Sequence, residues 1–217
     1  MPDSEVVVLV HGLWVGKFTL WPLQRRLGRL GWSCRRFGYP TVRRNPSLNA
    51  HNLAAFCHRL EADKIHWVGH SLGGLLVLSM LQACGQNLPP GRAVLLGSPV
   101  RGSAVARRMV SVGWLKALIG QSAGSLNTAF EQAPPGREVG TIAGTAQIGA
   151  GRVVARLDRP HDGTVAVSET RLAGARDHLE LPVSHTGLVL SKRVARAIDG
   201  FLKNGCFTPG FTQTTPA

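Results

Sequence analysis

Ile65-His66-Trp67-Val68-Gly69-His70-Ser71-Leu72-Gly73-Gly74-Leu75-Leu76-Val77-Leu78 is the stretch on which the fold reading turns. A short apolar run reads as a strand, Gly69-His70-Ser71-Leu72-Gly73 as a tight turn, and the apolar run after it as a buried helix. A Gly-x-Ser-x-Gly turn between a strand and a helix is the pattern of a nucleophile elbow. The backbone reverses too sharply there for side chains on either flank of the serine. The turn holds the Ser71 hydroxyl at the carboxyl edge of a sheet. The helix behind it aims free N–H groups and a positive dipole end at developing negative charge.

Working outward, strands and helices alternate. Glu5 to His11 is a β-branched run suited to a strand covered on both faces. Leu20, Leu23, Leu27 and Leu30 keep helical spacing until Gly31. Ser33–Phe37 reads as a strand, Leu48–Leu60 as a helix with Leu53, Phe56, Cys57 and Leu60 on one face, and Ala93–Leu96 as a strand. Val100–Gly136 breaks the rhythm and holds one amphipathic piece over about 107–119. Glu138–Ala143 and Asp177–Leu181 resume the strands, and Leu188–Leu202 reads as a closing helix. Alternation of this kind implies an α/β fold with a mainly parallel sheet, whose ligands bind at the carboxyl ends of the strands. One domain is expected over residues 1–207, with a polar tail at 208–217.

Composition narrows the function classes. The chain has 217 residues, 44% of them hydrophobic and 17% charged, so a sizeable core is expected and a disordered chain is not. No run of about 20 apolar residues suggests a membrane span. The first residues lack the basic start and apolar stretch of a signal peptide, which points to the cytoplasm. Cys34, Cys57, Cys84 and Cys206 form no CxxC pair and read as free thiols. The net charge of +13 comes largely from dispersed arginine pairs. It suits contact with anionic lipid, and no nucleic-acid motif accompanies it.

A serine nucleophile needs a base, and the base needs an acid to fix its tautomer. Histidines after Ser71 are His161, His178 and His185. His185 follows the sixth expected strand, where a loop can reach over the sheet edge, whereas His178 falls at that strand's start. Asp162, before Gly163, can turn its carboxylate inward, and Asp158 is its rival. Glu169 lies beyond a strand-like stretch at 164–167. An oxyanion calls for two N–H donors. The amide of Leu72 is one, and the amide of Leu13, after Gly12, is the other. The Leu13 side chain and Trp14 would line the pocket. His11 reads as structural, and His70 as a residue that either supports the site from behind or shapes the pocket, with no step of its own.

Taken with Val8-Leu9-Val10-His11-Gly12, Leu96-Gly97-Ser98-Pro99 (followed by Gly102-Ser103), Ile142-Ala143-Gly144-Thr145, Asp162-Gly163-Thr164-Val165 and His185-Thr186-Gly187-Leu188, the chain resembles the α/β-hydrolase superfamily. Within it, the small bacterial lipase and esterase group is the nearest in kind. The resemblance spans about Val6 to Phe207. It implies a minimal fold of about six mainly parallel strands, without the two antiparallel strands that open larger lipases. It maps nucleophile, acid and base onto Ser71, Asp162 and His185, and favours Asp162 over Asp158. It implies a serine carboxylic-ester hydrolase acting on acyl esters or lipids through an acyl-enzyme, monomeric, with no cofactor and no metal. A thioesterase or acyltransferase on the same triad, or a basic lipid-binding module with a vestigial one, are the alternatives. In the lid-like insertion, Val110, Trp114, Leu115 and Leu118 form an apolar stripe suited to packed core or to a lid over the pocket. Arg107, Arg108 and Lys116 around it would favour anionic membrane.

Overall fold

The structure is a computed structural model and describes residues 4–111, 120–127, 129–148 and 157–207. Six parallel strands form one sheet: β1 (Glu5–Val10), β2 (Ser33–Phe37), β3 (Lys64–His70), β4 (Ala93–Leu96), β5 (Val139–Gly144) and β6 (Asp177–Leu181), in the order β2-β1-β3-β4-β5-β6. The alternating pattern led us to expect a mainly parallel sheet, and the resemblance one of about six strands; the sheet is both. The order reverses between β1 and β3, so their carboxyl ends flank the topological switch point where such sheets bind ligands.

Side-chain alternation along each strand divides the core in two. Val6, Val8 and Val10 of β1 face one layer, with Ile65 and Trp67 of β3. That layer is closed by α2 (Pro46–His58) and α3 (Leu72–Cys84). Val7 and Leu9 face the other layer, with Val68, Leu96 and Ile142. It is closed by α1 (Trp21–Arg29), and by α7 (Gly187–Leu190) and α8 (Lys192–Asn204) near the end of the chain. Each fully buried Val or Leu contributes roughly 1.5–3 kcal/mol. This explains why β1 is apolar on both faces, as is β3 apart from the buried His66, and why α3, packed under α2 and over the sheet, is apolar almost all round.

Between β4 and β5 the insertion carries α4 (Ala104–Ser111) and α5 (Ser122–Asn127). The amphipathic piece starts earlier than its spacing suggested, at Ala104, and its remainder at 112–119 lies outside the described residues, as does the tail from 208. After β5 comes the short α6 (Val167–Thr170). The strand-like stretch at 164–167 is no strand: one bridge joins His161 to Ala166, and Val167 already begins α6.

The expected single closing helix is two. Ser191 is extended (φ −78°, ψ 132°) and separates α7 from α8. Its Oγ accepts from the N–H groups of Arg193 and Val194, so it is the N-cap of α8. Helix α2 begins at Pro46 rather than near Leu48, because Asn45 caps it by accepting from Ser47 N–H at 2.8 Å.

All four cysteines are free thiols. Burial pushes the Cys34 thiol up to about 12 and the Cys57 thiol up to about 11, so both are inert packing groups at neutral pH. Among the described residues no helix is long and apolar enough to cross a membrane, and no cluster of three metal-ligating side chains occurs.

Candidate active site

Ser71 stands between β3 and α3 with φ 54° and ψ −123°, a conformation that costs a non-glycine residue about 1–3 kcal/mol. Two backbone hydrogen bonds hold it there, and a glycine beside it leaves the room. Its N–H donates to Leu96 O at 2.8 Å, and its carbonyl accepts from Gly74 N–H at 3.0 Å. A side chain on Gly69 would stand 2.5 Å from Gly74 Cα, so only glycine lets the strand and helix close on each other. Ser71 occupies the N-cap position of α3, yet its hydroxyl makes no capping hydrogen bond. The hydroxyl is left for other chemistry, and the first amides of α3 are left without a side-chain acceptor.

Two loops bring an imidazole and a carboxylate to the same end of the sheet. Asp162 lies in the loop between β5 and α6 and is 1% exposed. Asp158 is exposed to solvent. Asp162 Oδ1 accepts from the N–H groups of Thr164 (2.9 Å) and Val165 (2.8 Å). Its Oδ2 lies 2.6 Å from His185 Nδ1, and its carbonyl accepts from His185 N–H at 2.9 Å. A carboxylate acceptor places a proton on Nδ1, so Nε2 is the basic nitrogen. His185 and Ser71 line one cavity. No hydrogen bond joins them directly, and such bonds in ligand-free sites are commonly longer than in substrate complexes.

The other histidines have different surroundings. His178 Nδ1 pairs with Thr141 Oγ1 at 2.6 Å at the start of β6, and His161 Nδ1 accepts from Gly163 N–H at 3.0 Å. His11 bonds Gly12 O through Nδ1 and accepts Tyr39 N–H at Nε2, with the Tyr39 ring stacked on it. His70 lies beside His185, ring centroids 4.7 Å apart, and its Nε2–H donates to the His185 carbonyl at 3.0 Å. Loss of hydration pushes His70 down to about 3, with charge on His185 acting the same way. His70 therefore stays neutral beside His185.

The loop after β1 completes the site. Gly12 comes so close that a Cβ on it would lie 3.1 Å from Ser71 Cβ. The Leu13 and Leu72 amides have no hydrogen-bond partner among the described residues. The cavity is about 250 Å³. Leu13, Trp14 and Val15 wall it from the β1 loop, Val105, Met109 and Leu126 from the insertion, and Thr164 and Val165 from the acid loop. Trp14 is thus at the pocket. Val110 is not: Val105 and Met109, one turn apart on α4, take that face, and Val110 is rotated about 100° away from Met109. Trp114, Leu115 and Leu118 lie outside the described residues.

Glu169 has a role that sequence reasoning missed. Its carboxylate accepts from Ala166 N–H at 2.9 Å and from Ala104 N–H at 2.5 Å, tying the start of α4 to α6. Burial raises its pKa, against the pull of those two amides. A glutamate at the third position of a short helix was the available signal, but its second bond spans 65 residues.

Comparison with known proteins agrees with this architecture. Among curated proteins none matches the sequence. A lipase from Bacillus licheniformis, in its mature form, superposes with a TM-score of 0.73 at 19% identity, over 94% of this chain and 92% of that one. A metagenomic carboxyl esterase gives 0.71 at 18% identity, over 94% and 77%. The type II thioesterase BorB from the borrelidin biosynthetic cluster gives 0.62 at 12%, over 94% and 93%. At these identities the likeness is one of fold. The sequence model of the alpha/beta hydrolase family matches residues 7–199, nearly the whole of the sheet and its helices, and on that match the chain belongs to the alpha/beta hydrolase family.

Proposed function

We propose that the protein is a serine carboxylic-ester hydrolase. Ser71 Oγ attacks the acyl carbonyl while His185 Nε2 takes its proton. Asp162 holds Nδ1–H and stabilises the imidazolium that forms. The Leu72 and Leu13 amides donate to the oxyanion. The protonated His185 gives its proton to the leaving alkoxide, leaving an acyl-serine. Water activated by His185 then releases the acid. The observation that carries this reading is the 2.6 Å His185–Asp162 pair on the cavity that holds a strained, uncapped Ser71. The apolar walls Leu13, Val105, Met109, Leu126 and Val165 suit an acyl chain.

Acyl thioesters would use the same groups, since the thiolate is a better leaving group and the acyl half is identical. Hydrolysis of p-nitrophenyl esters and of acyl thioesters, measured side by side, ranks the two. Ser71→Ala is expected to lower kcat on the order of 10⁴-fold or more for the true substrate class. Unchanged ester turnover by that variant removes the proposal.

A further inference from the structure

The loop from β1 to α1 carries an unusual surface. Trp14, Val15, Phe18 and Trp21 are 58%, 39%, 73% and 51% exposed, four large apolar side chains within eight residues. Trp14 is held at φ 60°, a conformation rare for a bulky side chain, so the backbone is strained where its indole stands on the cavity rim. Cations lie against the rings. Lys17 Nζ is 5.8 Å from the Phe18 centroid, Arg36 Cζ 5.6 Å from the same ring, and Arg25 Cζ 5.2 Å from Trp21. None of the three has a carboxylate partner among the described residues. The sequence around them has nine Lys and Arg, and no Asp or Glu, from Val6 to Leu60.

We propose that this aromatic and basic face docks on an anionic lipid bilayer, with the cavity mouth turned toward it. Amphipathic rings at the headgroup level, between cations that neutralise lipid phosphates, are the combination that holds a protein at an interface. Two observations select this occupant. Trp14 and Val15 are exposed and also line the cavity, so apolar side chains of the exposed β1–α1 loop stand at the pocket itself. A second copy of the chain would set two uncompensated cationic faces against each other. The inference does not depend on ester hydrolysis.

The test uses the full chain as Ser71→Ala, so that binding is read without turnover. Cosedimentation with phosphatidylglycerol-containing vesicles is expected, with weaker binding to pure phosphatidylcholine and at high salt. Arg25→Ser with Arg36→Ser should weaken it about 30-fold. Phe18→Ser with Trp21→Ser should weaken it on the order of tenfold. Quenching of tryptophan emission by brominated acyl chains should fall in Trp14→Phe with Trp21→Phe. Trp14, Phe18, Trp21 and Arg25 are exposed, and Arg36 gives up one long bond to Lys17 O at 3.4 Å, so circular dichroism should match the parent. Vesicle binding that is absent, or equal in parent and variants, overturns the proposal. So does tighter binding of a single-stranded RNA oligonucleotide that the same substitutions abolish.

Discussion

Gly97→Ala puts the working geometry to a direct test. Gly97 follows β4 with φ +54°, and a Cβ there would lie 2.7 Å from Leu188 Cδ1, 2.9 Å from Asp162 Oδ2 and 3.1 Å from His185 Nδ1. The new methyl would press on the two atoms of the acid–base hydrogen bond. Leu188 is fully buried, and Asp162 is anchored by two amides, so the imidazole is the group with room to yield. The left-handed backbone costs alanine about 1–2 kcal/mol. Overpacking adds about 1–3 kcal/mol. Together these predict a Tm lower by roughly 4–20 °C for a chain of this size. A reacting group misplaced by about 1 Å loses about 10²-fold, so a shift of several tenths should lower kcat about 10- to 100-fold. Gly136→Ala is the control: its φ is +72°, and a Cβ there meets nothing within 4 Å. It should share the backbone cost and keep full turnover. Thermal melts by circular dichroism, with p-nitrophenyl ester hydrolysis well below each Tm, read both quantities. If Gly97→Ala keeps parental kcat and melts no lower than Gly136→Ala, the His185–Asp162 pair is not the acid–base machinery.

Two further outcomes are expected. The folded protein holds His70 well below its ordinary value, so between pH 6.5 and about 3 it binds fewer protons than the unfolded chain. The stability tied to His70 is thus intact above pH 6.5 and is lost as pH falls. Tm should decline from pH 7 to 4, and His70→Asn should flatten that decline without abolishing it, since burial lowers His11 and His66 too. Parallel Tm–pH curves would refute this. Glu169→Gln would set an amide NH₂ against one of the two N–H groups its carboxylate now accepts, at a cost of about 1–3 kcal/mol. Hydrogen exchange should quicken at Ala104 and through the first turn of α4, and unchanged protection there would show that the clamp is idle.

The parts of the fold legible in the sequence are those where local and tertiary demands coincide. β1 and β3 are buried on both faces, so an unbroken apolar run announced β1 and one interrupted only by His66 announced β3, and their parallel order followed from the alternation with helices. Ser71 was legible because its turn needs glycines at fixed positions. The pairing of Asp162 with His185 was legible only from strand ends and from Gly163, a weak local cue that sets Asp162 apart from Asp158. The difference is tertiary: one carboxylate meets Thr164, Val165 and His185, and the other meets solvent. Ser191 was missed because Val189 and Val194 face the same core layer, which preserves apparent helical spacing across an extended residue. Val110 was misplaced for a related reason. Where a helix begins sets which of its residues face a cavity, and the start of α4 is set by Glu169 from far along the chain.

These bonds divide the labour within the site. His185 is fixed by its own N–H to Asp162 O, by Nδ1 to Asp162 Oδ2 and by its carbonyl to His70 Nε2. Asp162 is in turn fixed by Thr164 and Val165, and Ser71 by Leu96 and Gly74. Every one of those partners lies on the sheet edge, on α3 or on the acid loop, and none comes from the insertion between β4 and β5. The insertion supplies apolar wall through Val105, Met109 and Leu126, and Glu169 ties its first helix to α6. On the proposed reading, proton transfer rests on the His185 Nδ1–Asp162 Oδ2 pair and its backbone supports, to which the insertion contributes no bond. The part of the cavity wall that the insertion supplies includes three side chains that make none of those bonds, beside the walls from the β1 loop and the acid loop. Under the proposed hydrolysis, the groups that move the proton and part of the wall that would meet the acyl chain therefore come from different segments of the chain.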